Sequence, residues 1–211
     1  MSIVTVLYML VRLMIKDKNK AGKNRLNENG SVVLTLILLV LASLEGIPGA
    51  YRFSTGADAS VTLQVKATPQ QVWNALETAT SPDYPIPDLL RAIPKPIAVI
   101  LYEGTSLNAK RVVQFVGREG SGLLELQVVE RTTNKVIYKV TNDSSPIAGW
   151  VSHRSLTYGV EKTAFGVNLT VSLKFDRNLS PAWFFNPFIR YAGVSAVTVL
   201  AKDVRERSIG A

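Results

Sequence analysis

Hydrophobic and polar residues alternate along most of the chain after residue 59. The longest alternating run has apolar residues at every second position, namely Phe165, Val167, Leu169, Val171, Leu173 and Phe175. Shorter runs of the same kind surround Leu63, Val113, Leu126, Tyr138 and Tyr158. A period of two is typical of β-strands with one buried face, and such strands form antiparallel rather than doubly wound parallel sheets. The pattern therefore predicts an antiparallel sheet of six or seven strands.

Helical signals stand before and after most of these strands. Residues 68–71 read Thr-Pro-Gln-Gln, a capping box with proline at the first helical position, which predicts a helix to about residue 78. Residues 186–187 read Asn-Pro and predict the start of a long apolar helix from Phe188 to about Arg207. A short helix is also predicted at 88–92, inside a proline-rich break. The expected order is a strand, a helix, a short helix, five or six strands and a long helix.

A second apolar pattern, without alternation, occupies the N-terminal 50 residues. The stretch 31–50 is about as long as a bilayer core requires, and we expect it to be a transmembrane anchor. Its predicted membrane-facing residues include Val32, Leu36, Leu39 and Leu41. A cleaved signal segment is the main alternative, whereas a core helix is disfavoured because the run has no polar face. Within the basic segment 1–30, the apolar stretch 3–15 is interpreted as interfacial or as a short first membrane segment.

The charges that flank this run predict its orientation. Five basic residues precede it within 16–25, whereas only Arg52 follows it closely. The positive-inside rule then keeps residues 16–30 in the cytoplasm and sends residues 51–211 across the membrane. The sequence therefore predicts a single-pass membrane protein with an extracytoplasmic domain.

Composition narrows the chemistry that the domain can perform. The 211-residue chain has a net charge of +8 and is 47% hydrophobic, but its basic residues after position 50 are interleaved with acidic ones, which argues against nucleic-acid binding. The lack of cysteine excludes disulfides and thiol nucleophiles, and a single histidine, His153, excludes multi-histidine metal sites. No phosphate-binding loop or catalytic constellation is found. The sequence accordingly predicts no cofactor, no metal, no catalytic residue and no nucleic-acid partner.

One segment carries a resemblance to a known superfamily. Residues 61–73, VTLQVKATPQQVW, are similar to the first strand and helix start of the START-like (SRPBCC) superfamily of polyketide cyclases/dehydrases and lipid-transport proteins. The resemblance covers about residues 59–207, behind a linker at 51–58, and includes the single long helix at the end of the domain 59–211. It implies an α+β helix-grip fold, in which a curved antiparallel sheet wraps around the C-terminal helix. It also implies an apolar cavity for a hydrophobic ligand.

Polar side chains on inward faces are the candidates for contacts with that ligand. The predicted cavity residues are Arg111, Phe115, Tyr138, Trp150, Arg154 and Tyr158. Buried guanidinium groups need a partner, so Arg111 and Arg154 are expected to meet an anionic ligand group. Alternatively, they lie at strand ends and reach water or pair with Glu130 or Asp143. The same parity places His153 on the outer face, away from the cavity.

Three functions remain open on this evidence. The favoured one is a membrane-anchored START-like domain that binds or transfers a hydrophobic small molecule or lipid, with the membrane and that ligand as its partners. The alternative is a cyclase- or hydrolase-like enzyme that uses Tyr138, Tyr158 and the arginines to polarise a carbonyl in the same cavity. The third is a non-catalytic interaction module with a filled core, since a fold alone does not decide function.

Overall fold

A computed structural model of the chain describes residues 32, 33, 35–37, 40, 55–78, 93–118 and 120–210. The chain divides into two compact units, 1–51 and 52–211. The described residues of the first unit are helical and include the predicted anchor residues Val32 and Leu36. The anchor residues Leu39 and Leu41 and the short helix predicted at 88–92 lie outside the described residues.

The described part of the second unit contains one seven-stranded antiparallel sheet. Its strands are β1 (Gly56–Val65), β2 (Lys95–Tyr102), β3 (Lys110–Gly117), β4 (Gly120–Arg131), β5 (Lys135–Asp143), β6 (Val151–Thr163) and β7 (Gly166–Arg177). Their order in the sheet is β1-β7-β6-β5-β4-β3-β2. The antiparallel sheet predicted from the alternation is thus confirmed. One boundary differs, because β1 begins at Gly56 and takes in part of the segment predicted to be a linker.

Helix α1 (Pro69–Leu76) forms where the capping box predicts it. The Thr68 side chain accepts a hydrogen bond from the backbone N–H of Gln71, and the Gln71 side chain accepts one from the backbone N–H of Thr68. These two bonds satisfy backbone donors that a helix start otherwise leaves free. Val72 and Trp73 on the inner side of α1 are buried, which attaches the helix to the sheet.

The long C-terminal helix α2 (Ala182–Ile209) begins earlier than the sequence predicted. Its predicted start at Phe188 is wrong, because Pro187 lies inside the helix and not at its first turn. A proline in this position removes one intrahelical hydrogen bond. Burial offsets this loss, since Ala182 is fully buried and Phe185 packs against the core.

The core lies between the sheet and α2. Val197, Ala201 and Val204 share one face of the helix at spacings of four and three residues, and each is at most 2% exposed. They pack with Leu169 and the other buried residues of the sheet. Other residues in the middle of α2, within 188–200, face a cavity.

By length and composition, one described helical stretch could cross a membrane, namely Phe184–Ile209. This stretch is most of α2, and a helix that packs on a protein core passes the same test. Its apolar character is therefore weak evidence for a membrane span.

Candidate ligand-binding cavity

A cavity of about 260 Å³ lies between α2 and the sheet. Strands β2 to β7 and the middle of α2, within residues 188–200, contribute its walls, which are almost entirely apolar. Prominent apolar lining residues are Val113, Leu126, Leu156, Leu173, Phe175 and Phe188. The polar side chains among the lining residues are Lys95, Arg111, His153 and Ser195. An apolar cavity with a few polar groups is the usual form of a small-molecule site.

Three of the six predicted cavity residues line this cavity. Arg111, Phe115 and Trp150 are among the lining residues. Tyr138 and Tyr158 face inward as predicted, but each is only 1% exposed and neither lines the cavity, because they lie deeper in the core. Strand parity predicts the face that a side chain occupies and not its depth along that face.

The prediction for Arg154 is wrong. Its side chain is 69% exposed and forms an ion pair with Asp176 on the outer surface. The cause is a β-bulge in β6: His153 pairs with Phe175 and Ser155 pairs with Lys174, so Arg154 is an extra residue. A bulge inserts one residue and reverses the faces of the residues before it relative to those after it.

The same bulge turns His153 inward, so its predicted outward position is also wrong. The His153 side chain is 10% exposed and lines the cavity. Its Nδ1 lies 2.8 Å from Oδ2 of Asp143, whose side chain is 12% exposed. A second register shift, in β5, places Asp143 there: Val140 pairs with Leu126 and Asp143 pairs with Leu124, so both face inward.

Asp143 is held by Ser145 as well as by His153. The backbone N–H and the hydroxyl of Ser145 donate to Oδ1 of Asp143 at 3.1 and 2.6 Å. Burial opposes ionisation of Asp143, but the hydrogen bonds from His153 and Ser145 outweigh it and lower the pKa of the carboxyl below its ordinary value. Asp143 is therefore a carboxylate at neutral pH, and it fixes the orientation of the His153 ring.

Arg111 forms the second polar group of the cavity. Its guanidinium lies 5.6 Å from the ring centroid of Tyr102, and its positive charge favours the ionised form of Tyr158. Its Nε is buried without a hydrogen-bond partner among the described residues. No carboxylate in that part of the chain forms an ion pair with it. Of the two carboxylates that the sequence suggested as partners, Asp143 binds His153 and Glu130 pairs with Lys135.

The tyrosines behind Arg111 stay neutral. Burial raises the pKa of Tyr102, Tyr138 and Tyr158, and for Tyr102 and Tyr158 the lowering effect of Arg111 is smaller than that of burial. Tyr138 donates to the carbonyl of Gly104 at 3.4 Å and meets Tyr158 edge to face, with ring centroids 6.3 Å apart. Because these phenols are neutral, they do not compensate the charge of Arg111.

Within the described residues, no group of three or more His, Asp or Glu side chains could hold a metal ion. The signal that sequence reasoning missed was the Asp143–His153 pair. Both residues are visible in the sequence, but only the two register shifts bring them onto the inner face.

Solved structures share this architecture. The di-domain ARO/CYC protein BexL from the BE-7585A biosynthetic pathway matches 88% of the chain with a TM-score of 0.54 and 13% identity, and the chain spans 59% of its length. A protein from Thermus thermophilus matches 73% of the chain, and 98% of its own length, with a TM-score of 0.50 and 12% identity. A point mutant of norcoclaurine synthase from Thalictrum flavum, in complex with a transition-state analogue, matches 76% of the chain and 98% of its own length. Its TM-score is 0.51 and its sequence identity is 14%.

No protein-family model and no curated protein sequence matches the chain. At 12 to 14% identity, the structural likeness concerns the fold. The chain has the helix-grip fold, which confirms the fold implied by residues 61–73.

Proposed function

We propose that the chain is a membrane-anchored START-like domain that binds a hydrophobic small molecule or lipid in the cavity beneath α2. The observation that carries this proposal is the apolar wall of a cavity of about 260 Å³ between the sheet and α2. The cavity is partly open, so its apolar wall is exposed to water, which is unfavourable. A ligand that covers the wall removes that apolar surface from water.

Arg111 indicates the chemistry of one end of the ligand. A partly buried guanidinium without a carboxylate partner is unfavourable, because the charge loses solvation that nothing replaces. The described residues supply neutral phenols and an aromatic face beside Arg111. A carboxylate or another anionic group of the ligand would supply the missing charge, so the favoured ligand is an amphipathic acid or an anionic lipid.

The apolar run 31–50 is proposed to hold the domain at a membrane, with residues 51–211 on the extracytoplasmic side. Apolar ligands partition into bilayers, so a tethered domain meets them at a higher effective concentration than a free domain does. The basic residues before the run support this orientation.

The two other functions differ from this one in measurable ways. An interaction module with a filled core would have no space for a ligand, and the cavity counts against it. A cyclase- or hydrolase-like enzyme would use the same cavity, and conversion of the bound compound would distinguish it from a carrier or receptor.

The proposal is tested by binding of anilinonaphthalene sulfonate, an apolar fluorescent anion, to the full chain in lipid nanodiscs. We expect saturable binding beyond that of empty nanodiscs. Ala192→Trp places an indole in the cavity and should abolish it, whereas Val194→Trp, on the same helix but 46% exposed and outside the lining, should not. Equal binding by both variants, each checked for folding by circular dichroism, would overturn the cavity as the site.

A further inference from the structure

The Asp143–His153 pair is a built polar site on the cavity wall, separate from Arg111. Arg111 lies on β3 and His153 on β6, three strand spacings apart, which is roughly 14 Å along the sheet. The intervening wall is apolar and includes Leu126 and Val140. The cavity therefore has two polar ends. An anionic ligand group at Arg111 would not reach His153, so the second end needs a ligand contact of its own.

The hydrogen bonds of the pair determine which role is left for the second ring nitrogen, Nε2 of His153. Both oxygens of the Asp143 carboxylate accept hydrogen bonds, one from His153 and the other from Ser145. Because a carboxylate only accepts, Nδ1 of His153 is the donor, and a neutral imidazole then presents Nε2 as an acceptor. No hydrogen-bond partner of Nε2 is found in the described part of the chain, and the ring lines the cavity.

Two independent irregularities of the sheet create this arrangement. Without the extra residue in β6, His153 would point outward, and without the shift in β5 between Val140 and Asn142, Asp143 would do so. Bulges are enriched near functional sites, where they re-aim individual side chains. Here two bulges on neighbouring strands orient a hydrogen-bonded pair toward an apolar cavity. This arrangement favours a role of the pair in ligand contact over a purely structural role.

We propose that Nε2 of His153 accepts a hydrogen bond from a hydroxyl group of the ligand, with Asp143 as the positioning residue. This inference rests on the proposed binding function and specifies its ligand as an apolar molecule with an alcohol or phenol group, in addition to the anionic group near Arg111. An analogue with a methyl group in place of the hydroxyl would leave Nε2 desolvated and unpaired, and should bind about three- to ten-fold more weakly.

The chain offers a direct spectroscopic test because His153 is its only histidine. Labelling with ¹⁵N-histidine gives one Nδ1 and one Nε2 resonance from the full chain in nanodiscs. We expect an upfield shift of the Nε2 resonance on addition of naphthol, and little change with the matching methylnaphthalene. Loss of the Nδ1–H tautomer preference in Asp143→Asn would show that Asp143 positions the ring.

Competition with anilinonaphthalene sulfonate completes the test. Naphthol should compete at about three- to ten-fold lower concentration than methylnaphthalene, His153→Met should remove this difference, and His153→Gln, whose amide can occupy the place of Nε2, should restore part of it. Equal competition by both compounds in the wild type, without an Nε2 shift, would overturn the hydroxyl site and leave the binding function standing. Failure of both compounds to compete would overturn both proposals, and the NMR measurement on the wild type does not depend on whether a variant folds.

Discussion

Asp143→Asn should destabilise the domain by about 2 kcal/mol at neutral pH. The carboxylate accepts hydrogen bonds from His153 Nδ1 and from two donors of Ser145, and the His153 and Asp143 side chains are only 10% and 12% exposed. A hydrogen bond to a charged group contributes about 1.5–3 kcal/mol, and solvent screens it little at this exposure. Asparagine keeps the shape and can still accept from Ser145, so the expected loss corresponds to one charge-assisted bond.

The effect should depend on pH in a defined direction. The pKa of Asp143 is lower in the folded chain than in the unfolded chain, so the carboxylate stabilises the fold above about pH 4. That stabilisation is lost as the pH falls through the folded-state pKa. The difference in unfolding free energy between wild type and Asp143→Asn should therefore be full at pH 7 and should decrease as the pH is lowered below about 4, as measured by denaturant unfolding followed by tryptophan fluorescence.

Asp176→Asn is the matched control. Asp176 also pairs with a basic residue of β6, but its partner Arg154 is 69% exposed, and exposed ion pairs contribute about 0–1 kcal/mol. Equal destabilisation by both variants at pH 7, or an Asp143→Asn effect that persists unchanged at low pH, would refute the reasoning about the buried pair.

Three further predictions concern the ligand, the sheet and the topology. Arg111→Met should weaken binding of anilinonaphthalene sulfonate about ten-fold in a fluorescence titration, whereas Arg154→Met should leave it unchanged, and the opposite ranking would contradict the placement of the two side chains. Gly122→Ala should lower the melting temperature strongly, because the new Cβ would clash with the backbone carbonyl oxygen of Ser144; an unchanged melting temperature would contradict this close approach of the two backbones. Protease added to intact cells should cut residues 51–211, and full protection of that part would reverse the proposed orientation.

Local chemistry explains which parts of the fold could be predicted from the sequence. The alternation around Leu169 predicts β7 because a period of two is typical of a strand with one buried face. The capping box at Thr68 predicts α1 because its hydrogen bonds join residues only three positions apart. The start of α2 was missed because a local signal, Pro187, was outweighed by the burial of Ala182 against distant residues.

The candidate site was predicted only in part, because its key irregularities arise from strand pairing. Parity correctly places Arg111 and Phe115 on the cavity wall, since β3 pairs with β4 without a shift. In β6 the extra residue Arg154 reverses the faces before it, so the same argument gave the wrong side for Arg154 and His153. A bulge depends on the neighbouring strand and leaves no periodic trace in its own sequence.

Native mass spectrometry of the full chain, extracted from its own membrane and released from lipid nanodiscs, tests the central claim most directly. The claim is that the apolar cavity between the sheet and α2 binds a hydrophobic molecule. We predict a one-to-one complex with a hydrophobic compound that bears an acidic group and a hydroxyl group, and loss of that complex in Ala192→Trp but not in Val194→Trp. A chain that is recovered empty, and that takes up no compound from a total lipid extract of the same membrane, would contradict the account.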